Sequence, residues 1–384
     1  MKEGWEYKKL GEVCKSDLGK TLNSATDKGD LRPYLCAVNI LWDRIDFTTL
    51  KKTKFEENEL ERYTIQKGDL LICEGGDVGR AAIWNSEDKI QYQNALHRVR
   101  FNSEIVPRFC LLYLRFLKNE GILDNRYAKG VTIKHLVKSS LLSIPIPVPS
   151  LSQQQRIVSE LDLLSGIIEK KKVQLEELDN LAQSIFYDMF GDPVTNEKEW
   201  EEKRLEEIAM SKIGLTYKPS DVCDIGTIVL RSSNIQENHL DFKDIVRVNC
   251  NIKPNQWVQK GDILMCSRNG SFKLVGKVAM IDNLSEPMSY GAFMTIIRSE
   301  YNQYLFAFFK SPAFRNQLGC AGTSTINQIT VKMLNEIRIP LPPFSLQQEF
   351  AEKIEAIEAM KAKVLQSLKE AETLFNSRMD YYFN

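Results

Sequence analysis

Asp77 followed by Glu87-Asp88-Lys89 has the loose order Asp…Glu-x-Lys. Two such carboxylates could hold Mg²⁺, and the lysine could steady charge developing on a phosphate. The order is common in a chain this rich in Lys and Glu, and Asp192 with Glu201-Glu202-Lys203 fits it as well. A metal-dependent nuclease is therefore one reading, carried by a pattern of low specificity. Other chemistries find less support. A P-loop needs four residues between its first Gly and Gly-Lys-Ser/Thr, whereas Gly270 and Gly276-Lys277-Val278 have five between them and Val where a Mg²⁺ ligand belongs. The Asn/Asp-Pro-Pro-Tyr/Phe string of amino-methyltransferases has its nearest match in Leu341-Pro342-Pro343-Phe344, and Leu cannot accept a hydrogen bond from an amino group. None of the eight cysteines forms a C-x-x-C pair, so no structural zinc site is expected. Cys36, Cys73 and Cys266 lie in apolar runs and read as reduced core thiols. His97, His135 and His239 are scattered. No catalytic residue, metal or cofactor is expected in this chain.

A different chemistry is better represented. Arg pairs with guanine edges, and Asn or Gln with adenine edges. Arg80, Asn94, His97 and Arg98 form one candidate set; Arg268, Asn269, Ser271, Asn327 and Gln328 form another. Lys129, Lys134, Lys273 and Lys277 suit phosphate contacts, which position a protein on DNA without specifying sequence. Any single member reads equally well as a solvated loop residue, so the weight lies on the sets.

The elements that must carry these sets occur twice. Trp5-Glu6-Tyr7-Lys8-Lys9-Leu10 matches Trp200-Glu201-Glu202-Lys203-Arg204-Leu205, and Asn39-Ile40 matches Asn234-Ile235. Gln66-Lys67-Gly68-Asp69 matches Gln259-Lys260-Gly261-Asp262, and each is followed by four apolar or thiol residues. Ile144-Pro145-Ile146-Pro147 matches Ile337-Arg338-Ile339-Pro340, and Gln154-Gln155 matches Gln347-Gln348. The offset stays between 193 and 195 throughout, which marks an internal duplication. Between the matched pieces the copies diverge: Glu74-Gly75-Gly76-Asp77-Val78-Gly79-Arg80 stands against Ser267-Arg268-Asn269-Gly270-Ser271-Phe272-Lys273.

Each copy divides into a mixed β region and a long helix. Lys-Gly-Asp before an apolar run predicts a turn entering a buried strand. Phe109 to Leu117 and Tyr304 to Phe309 predict short helices, and the Pro-rich segments 145–149 and 340–343 predict boundaries. In the first copy Ile157, Leu161, Leu164, Ile168, Lys171, Leu175, Leu178, Ala182, Ile185 and Met189 alternate spacings of four and three. Phe350, Ile354, Ile357, Lys361, Val364, Leu368, Ala371 and Phe375 do the same in the second. These are heptad seams, each with one lysine. They favour two helices packed on each other over helices that only cover their own domains. A helix over 153–190 would span about 55 Å, and Gly191-Asp192-Pro193 should stop it. An antiparallel pair of this kind suits a ligand with two half-sites about 34 Å apart, one turn of DNA.

Composition agrees. Net charge is zero over 384 residues, but residues 1–150 and 193–343 carry +4 and +2, and 151–192 and 344–384 carry −4 and −2. A polyanion would favour the first pair of regions. No signal core and no apolar run near the ~20 residues of a membrane span is present, so a soluble, cytoplasmic protein is expected.

The order Lys-Gly-Asp-strand, Pro-rich segment, Gln-Gln, long helix and Met189-Phe190-Gly191-Asp192-Pro193 resembles the specificity subunits of type I restriction–modification systems, over nearly the whole chain. The resemblance implies an α+β fold: two repeated target-recognition domains, 1–150 and 193–343, joined by two long antiparallel coiled-coil-like helices, 151–192 and 344–384. It implies a non-catalytic, DNA-binding subunit that recognises a bipartite duplex target. Its implied partners are two methylation subunits, which carry S-adenosylmethionine and methylate adenine, and two restriction subunits, which use ATP and Mg²⁺. A coiled-coil scaffold that binds no nucleic acid is the remaining alternative to the nuclease.

Overall fold

Gly68 and Gly261 turn the chain at φ +89° and +88°, a region that strains any residue with a side chain. The aspartate that follows closes each turn: Asp69 accepts from the Gln66 N–H at 2.9 Å and Asp262 from the Gln259 N–H at 2.7 Å. The turns lead into strands Leu70–Cys73 and Ile263–Cys266, buried along their whole length, as continuous apolar runs demand. The computed structural model describes residues 4–23, 27–130, 134–282, 284–318 and 328–384. It divides into two units, Met1–Lys172 with Gln366–Asn384, and Val173–Leu365.

In the first unit Leu70–Cys73 lies in an antiparallel sheet of order Cys14–Leu18, Leu96–Phe101, Leu70–Cys73, Ala81–Ile83. A second, mixed sheet runs Lys51–Phe55, Asp30–Leu35, Ile90–Tyr92, Thr64–Ile65, with its central pair parallel. The second unit repeats the plan. Its antiparallel sheet is Met210–Ile213, Met294–Arg298, Ile263–Cys266, Val278–Met280. Its mixed sheet again contains one parallel pair, Thr227–Leu230 with Met288–Tyr290, here with Met288–Tyr290 at the edge. The copies differ at the edges of that sheet: Thr64–Ile65 extends it beyond Ile90–Tyr92 in one, and Val222–Cys223 extends it beyond Arg247–Val248 in the other. The short helices are Pro107–Asn119 and Asn302–Lys310.

The Pro-rich segments do more than mark boundaries. Pro145–Pro147 pairs with Tyr7–Lys9, and Arg338–Pro340 with Glu202–Arg204, each as an isolated antiparallel ribbon. A ribbon of two strands tolerates proline because each strand has an unpaired edge. The start and end of each domain are thereby tied together.

Leu151–Phe190 and Phe344–Phe383 are helices of 40 residues. The matched glutamines lock their entries. Gln154, fully buried, donates to the Pro149 and Glu104 carbonyls at 2.9 and 2.8 Å and accepts from the Val106 N–H at 2.8 Å; Gln347 donates to the Pro342 carbonyl at 2.8 Å. At the far end of the first helix Gly191 takes φ +77°, and the Trp200 indole donates to the Phe190 carbonyl at 2.8 Å.

The seams face inward in both units, in two ways. In the first unit Ile157, Leu161, Leu164 and Phe375 are buried in one cluster with the helix Pro107–Asn119, and Ile168 packs at its margin. There the seam covers its own domain and also meets the other long helix. In the second unit Leu178, Ile357 and Val364 form a purely helix-on-helix cluster, flanked by Leu175, Ala182, Ile185 and Ile354. Phe350 is buried beyond it among the domain's aromatics, with Met189 at the margin. Leu368 is half-buried and Ala371 buried.

The pairing is antiparallel within each unit. Glu160 meets Arg378 and Lys172 meets Glu372 in the first; Asp179 meets Lys361 and Phe186 meets Phe350 in the second. The seam lysine Lys361 is 9% exposed and bonded to Asp179 and Glu358 at 2.8 and 3.0 Å. Burial works against its charge, but those two carboxylates hold the ammonium above its ordinary range. Among the described residues no helix is long and apolar enough to cross a membrane.

Candidate nucleic-acid interface

The same charged pair stiffens the antiparallel sheet of each unit. Arg100 donates to both oxygens of Asp69 at 2.7 Å, and Arg298 to both oxygens of Asp262 at 2.6 Å. Both aspartates are 1% exposed. A bidentate guanidinium–carboxylate pair fixes orientation as well as distance. The matched Asn39 and Asn234 are buried too; they accept from the N–H of Cys36 and Arg231 and donate to the carbonyls of Asp46 and Asp241. The repeated polar residues are thus scaffold, spent inside each domain.

Beyond the exit of strand Leu70–Cys73, three pieces of chain meet. The Glu74 N–H donates to the Ala95 carbonyl at 3.0 Å, and the Leu136 N–H donates to the Glu74 carbonyl at 2.7 Å. The second unit builds the same junction: Ser267 N–H to Phe293 carbonyl at 2.9 Å, and Ile329 N–H to Ser267 carbonyl at 2.7 Å. The side chains around the two junctions differ. In the second unit Arg268, Ser271, Lys273 and Gln328 are exposed, and Arg268 is bridged to Gln328 along the backbone. Asn269 is half-buried and orders the loop, donating to Ser232 Oγ at 3.1 Å and accepting from the Ser271 N–H at 2.9 Å. Lys277 is half-buried and tied to the Ile235 carbonyl at 3.1 Å. In the first unit Lys129 is exposed and bridged to His135. Arg80, Lys134 and Asn94 are half-buried, bonded to the Ala37 carbonyl, the Asp124 carbonyl and Thr21 Oγ1. Asn327 lies outside the described residues.

Two expected readers have no route to a base in this fold. His97 is fully buried and bonded to the Leu136 carbonyl at 2.8 Å. Arg98, 7% exposed, donates to the Arg62 and Thr64 carbonyls at 2.9 and 2.8 Å and to Asp17 at 2.9 Å. The strand Leu96–Phe101 is covered on both faces over Leu96–Val99, so alternation hides both residues rather than exposing one. In their place the structure offers Phe293, 58% exposed, with the Arg268 guanidinium 5.3 Å from its ring centre. A lone Phe in a strand-rich stretch reads as core, and only the backbone bonds of the two junctions, not the repeat offset, show that its place is held by the small Ala95 in the first unit.

Burial holds the His97 imidazole below its ordinary 6.5, the Leu136 hydrogen bond offsetting only part of that effect. The fold thus keeps the ring neutral where the unfolded chain would protonate it. His97 should contribute its full stability above pH 6.5 and lose it as pH falls, by up to about 1.4 kcal/mol per pH unit. Urea midpoints between pH 5 and 8, with hydrogen exchange locating the change to the first unit, should show this slope, and His97→Gln should remove it. An unchanged slope in that variant would assign the pH dependence to other groups.

The enzymatic alternatives lose their parts. Asp77 is paired with Lys118 at 2.9 Å and accepts from the Trp42 indole, and Glu87 is paired with Lys67 at 2.5 Å. Glu201 is paired with Lys203. Among the described residues no group of three or more potential ligands could hold a metal ion. Cys36, Cys73 and Cys266 are buried, and burial pushes the Cys73 thiol up to about 11, which leaves little reactive thiolate near neutrality.

The family model described as type I restriction modification DNA specificity domain matches residues 2–178 and again 197–371. The chain belongs to that family. It is a non-catalytic specificity subunit that recognises DNA sequence, with a target-recognition domain in each copy. The MjaVIII specificity subunit of the type I restriction enzyme from Methanocaldococcus jannaschii is 25% identical, over 93% of this chain and 86% of that one. Two solved structures share the fold. The type I restriction–modification S subunit from M. genitalium has a TM-score of 0.58 at 14% identity, covering 99% of this chain and 96% of that one. A chain from a type I R-M system, solved to explain complex assembly and conformational transition, has a TM-score of 0.60 at 18% identity, covering 100% and 98%.

Proposed function

We propose that each domain reads one half of a bipartite duplex target, so that the specificity subunit directs adenine methylation and restriction carried out by partner subunits. The observation that carries this reading is the duplicated three-way junction, which presents different side chains on the same backbone frame. Residues 1–150 and 193–343 form the reading domains in this proposal, and 151–192 and 344–384 the spacer helices on which partners assemble. The expected complex has two methylation subunits with S-adenosylmethionine and two restriction subunits with ATP and Mg²⁺, acting in the cytoplasm.

Within the second domain Arg268 and Gln328 are the proposed base readers, with Ser271 beside them, and Lys273 the proposed phosphate contact. Of the first domain's candidates Lys129 is exposed, and Arg80, Asn94 and Lys134 would have to exchange an internal hydrogen bond for one to DNA. Arg268→Ala is expected to relax one base position, at about 1–3 kcal/mol. Lys273→Ala should weaken all sequences alike and lower the slope of log affinity against log salt by about one. Binding of the reconstituted methylation complex to a panel of single-base variants across a salt series separates the two. Arg268→Ala binding every sequence equally less well would remove Arg268 as a reader.

A further inference from the structure

In the first unit one arginine closes the gap between domain and helix. Arg108, second residue of the helix Pro107–Asn119, bonds Asp162 on the first long helix at 2.7 Å and Asp43 in the turn between strands Ile40–Leu41 and Arg44–Ile45. The second unit has the same three positions. Asn238 occupies the matching turn, with φ +64° like Asp43. Gln303 is the second residue of the matching helix, Asn302–Lys310. Glu355 lies eight residues past Gln347, as Asp162 lies eight past Gln154. The register is fixed by equivalent ring contacts, Phe109 on Phe383 at 5.5 Å and Tyr304 on Phe190 at 4.9 Å.

The helix-borne carboxylate is kept in the second unit and the arginine is not. Asn238, Gln303 and Glu355 all line a cleft of about 1000 Å³ that lies wholly within this unit. That volume is at the upper end for ligand pockets, about 300–1000 Å³. Its walls include Tyr187, Phe306, Phe350 and Ile354. Asp179 and Glu358, which also line it, are already bonded to Lys361. Lys310 also lines the cleft, its ammonium 5.1 Å from the centre of the Phe306 ring, and Lys260 and Asp282 are further lining residues. Glu355 makes no ion pair among the described residues and is exposed.

We propose that this cleft receives an arginine side chain from a partner protein, presented on a short apolar segment, in the place Arg108 fills in the first unit. The guanidinium suits the site because it is a planar fork that can bond a carboxylate while stacking on an aromatic face. Glu355 supplies the carboxylate, Asn238 and Gln303 supply carbonyl acceptors, and the aromatic wall takes the apolar neighbours. The site does not depend on how the domain reads DNA, so its failure and the failure of the reading proposal are distinguishable.

The test uses the full chain and a fluorescein-labelled octapeptide with one central arginine among leucines, compared with the same peptide carrying citrulline. Fluorescence anisotropy should show one site per chain and at least about tenfold weaker binding of the citrulline peptide, the scale of a lost charge-assisted hydrogen bond. Glu355→Gln, an exposed helical change that leaves folding intact, should weaken the arginine peptide to a similar degree and leave DNA affinity within about twofold. Gln303→Arg with Asn238→Asp rebuilds the first unit's bridge and should abolish peptide binding. The reciprocal pair, Arg108→Gln with Asp43→Asn, should create a second site. Absence of arginine-peptide binding, equal binding of the citrulline peptide, or no effect of Glu355→Gln would each overturn the proposal.

Discussion

Exchanging residues 200–340 for the matching stretch of a relative is expected to rewrite one half of the DNA target and leave the other half unchanged. The stretch begins at Trp200, whose indole holds the Phe190 carbonyl, and ends at Pro340 in the ribbon Glu202–Arg204 with Arg338–Pro340. A donor would therefore bring both strands of its own closing ribbon. It would also bring its own Asp–Arg pair and Asn hook, equivalents of Asp262–Arg298 and Asn234, so the reading loops would arrive on an intact frame. Half of a target of several base pairs, at about 1–3 kcal/mol each, amounts to loss of all discrimination for the old half-site. Mapping methylated adenines after reconstitution with methylation subunits measures this directly. Altered bases in both halves, or in neither, would refute modular reading.

The largest stability effect is expected at the pair that supports the reading loops. Arg298→Ala leaves Asp262, 1% exposed, without the guanidinium that holds both of its oxygens. Removing one partner of a buried pair typically costs about 3–5 kcal/mol, because the remaining charge is stranded. Arg298 itself is 28% exposed, and water entering its place should keep the loss near the lower figure. Arg100→Ala should act in the same way on Asp69 in the first unit. A chain of two units need not unfold in one step, so hydrogen exchange by mass spectrometry is the suitable readout. The Arg298 variant should lose protection in Ile263–Cys266 and Met294–Arg298, and the Arg100 variant in Leu70–Cys73 and Leu96–Phe101. A loss under about 1 kcal/mol in either would mean that the sheet is held by its apolar contacts alone.

The sequence alone determined the duplication, the buried strands after Lys-Gly-Asp, the two long helices and their seams. These are local properties. A left-handed glycine, a run of apolar residues and a heptad spacing act over a few neighbouring positions, and Ile157 through Met189 face inward because helix geometry puts every third or fourth residue on one side. Which polar residues remain free was decided only by tertiary structure. His97 and Arg98 sit beside a loop that could read DNA, yet carbonyls from Leu136, Arg62 and Thr64 claim them. Those partners lie 34 to 39 residues away in the chain, where no local pattern reaches. The same holds for Phe293, turned outward beside Arg268, and for the difference between Arg108, bonded to carboxylates on two other elements, and Gln303, left facing an open cleft. A buried polar group must find its partner wherever folding brings one near, and that choice belongs to the whole domain.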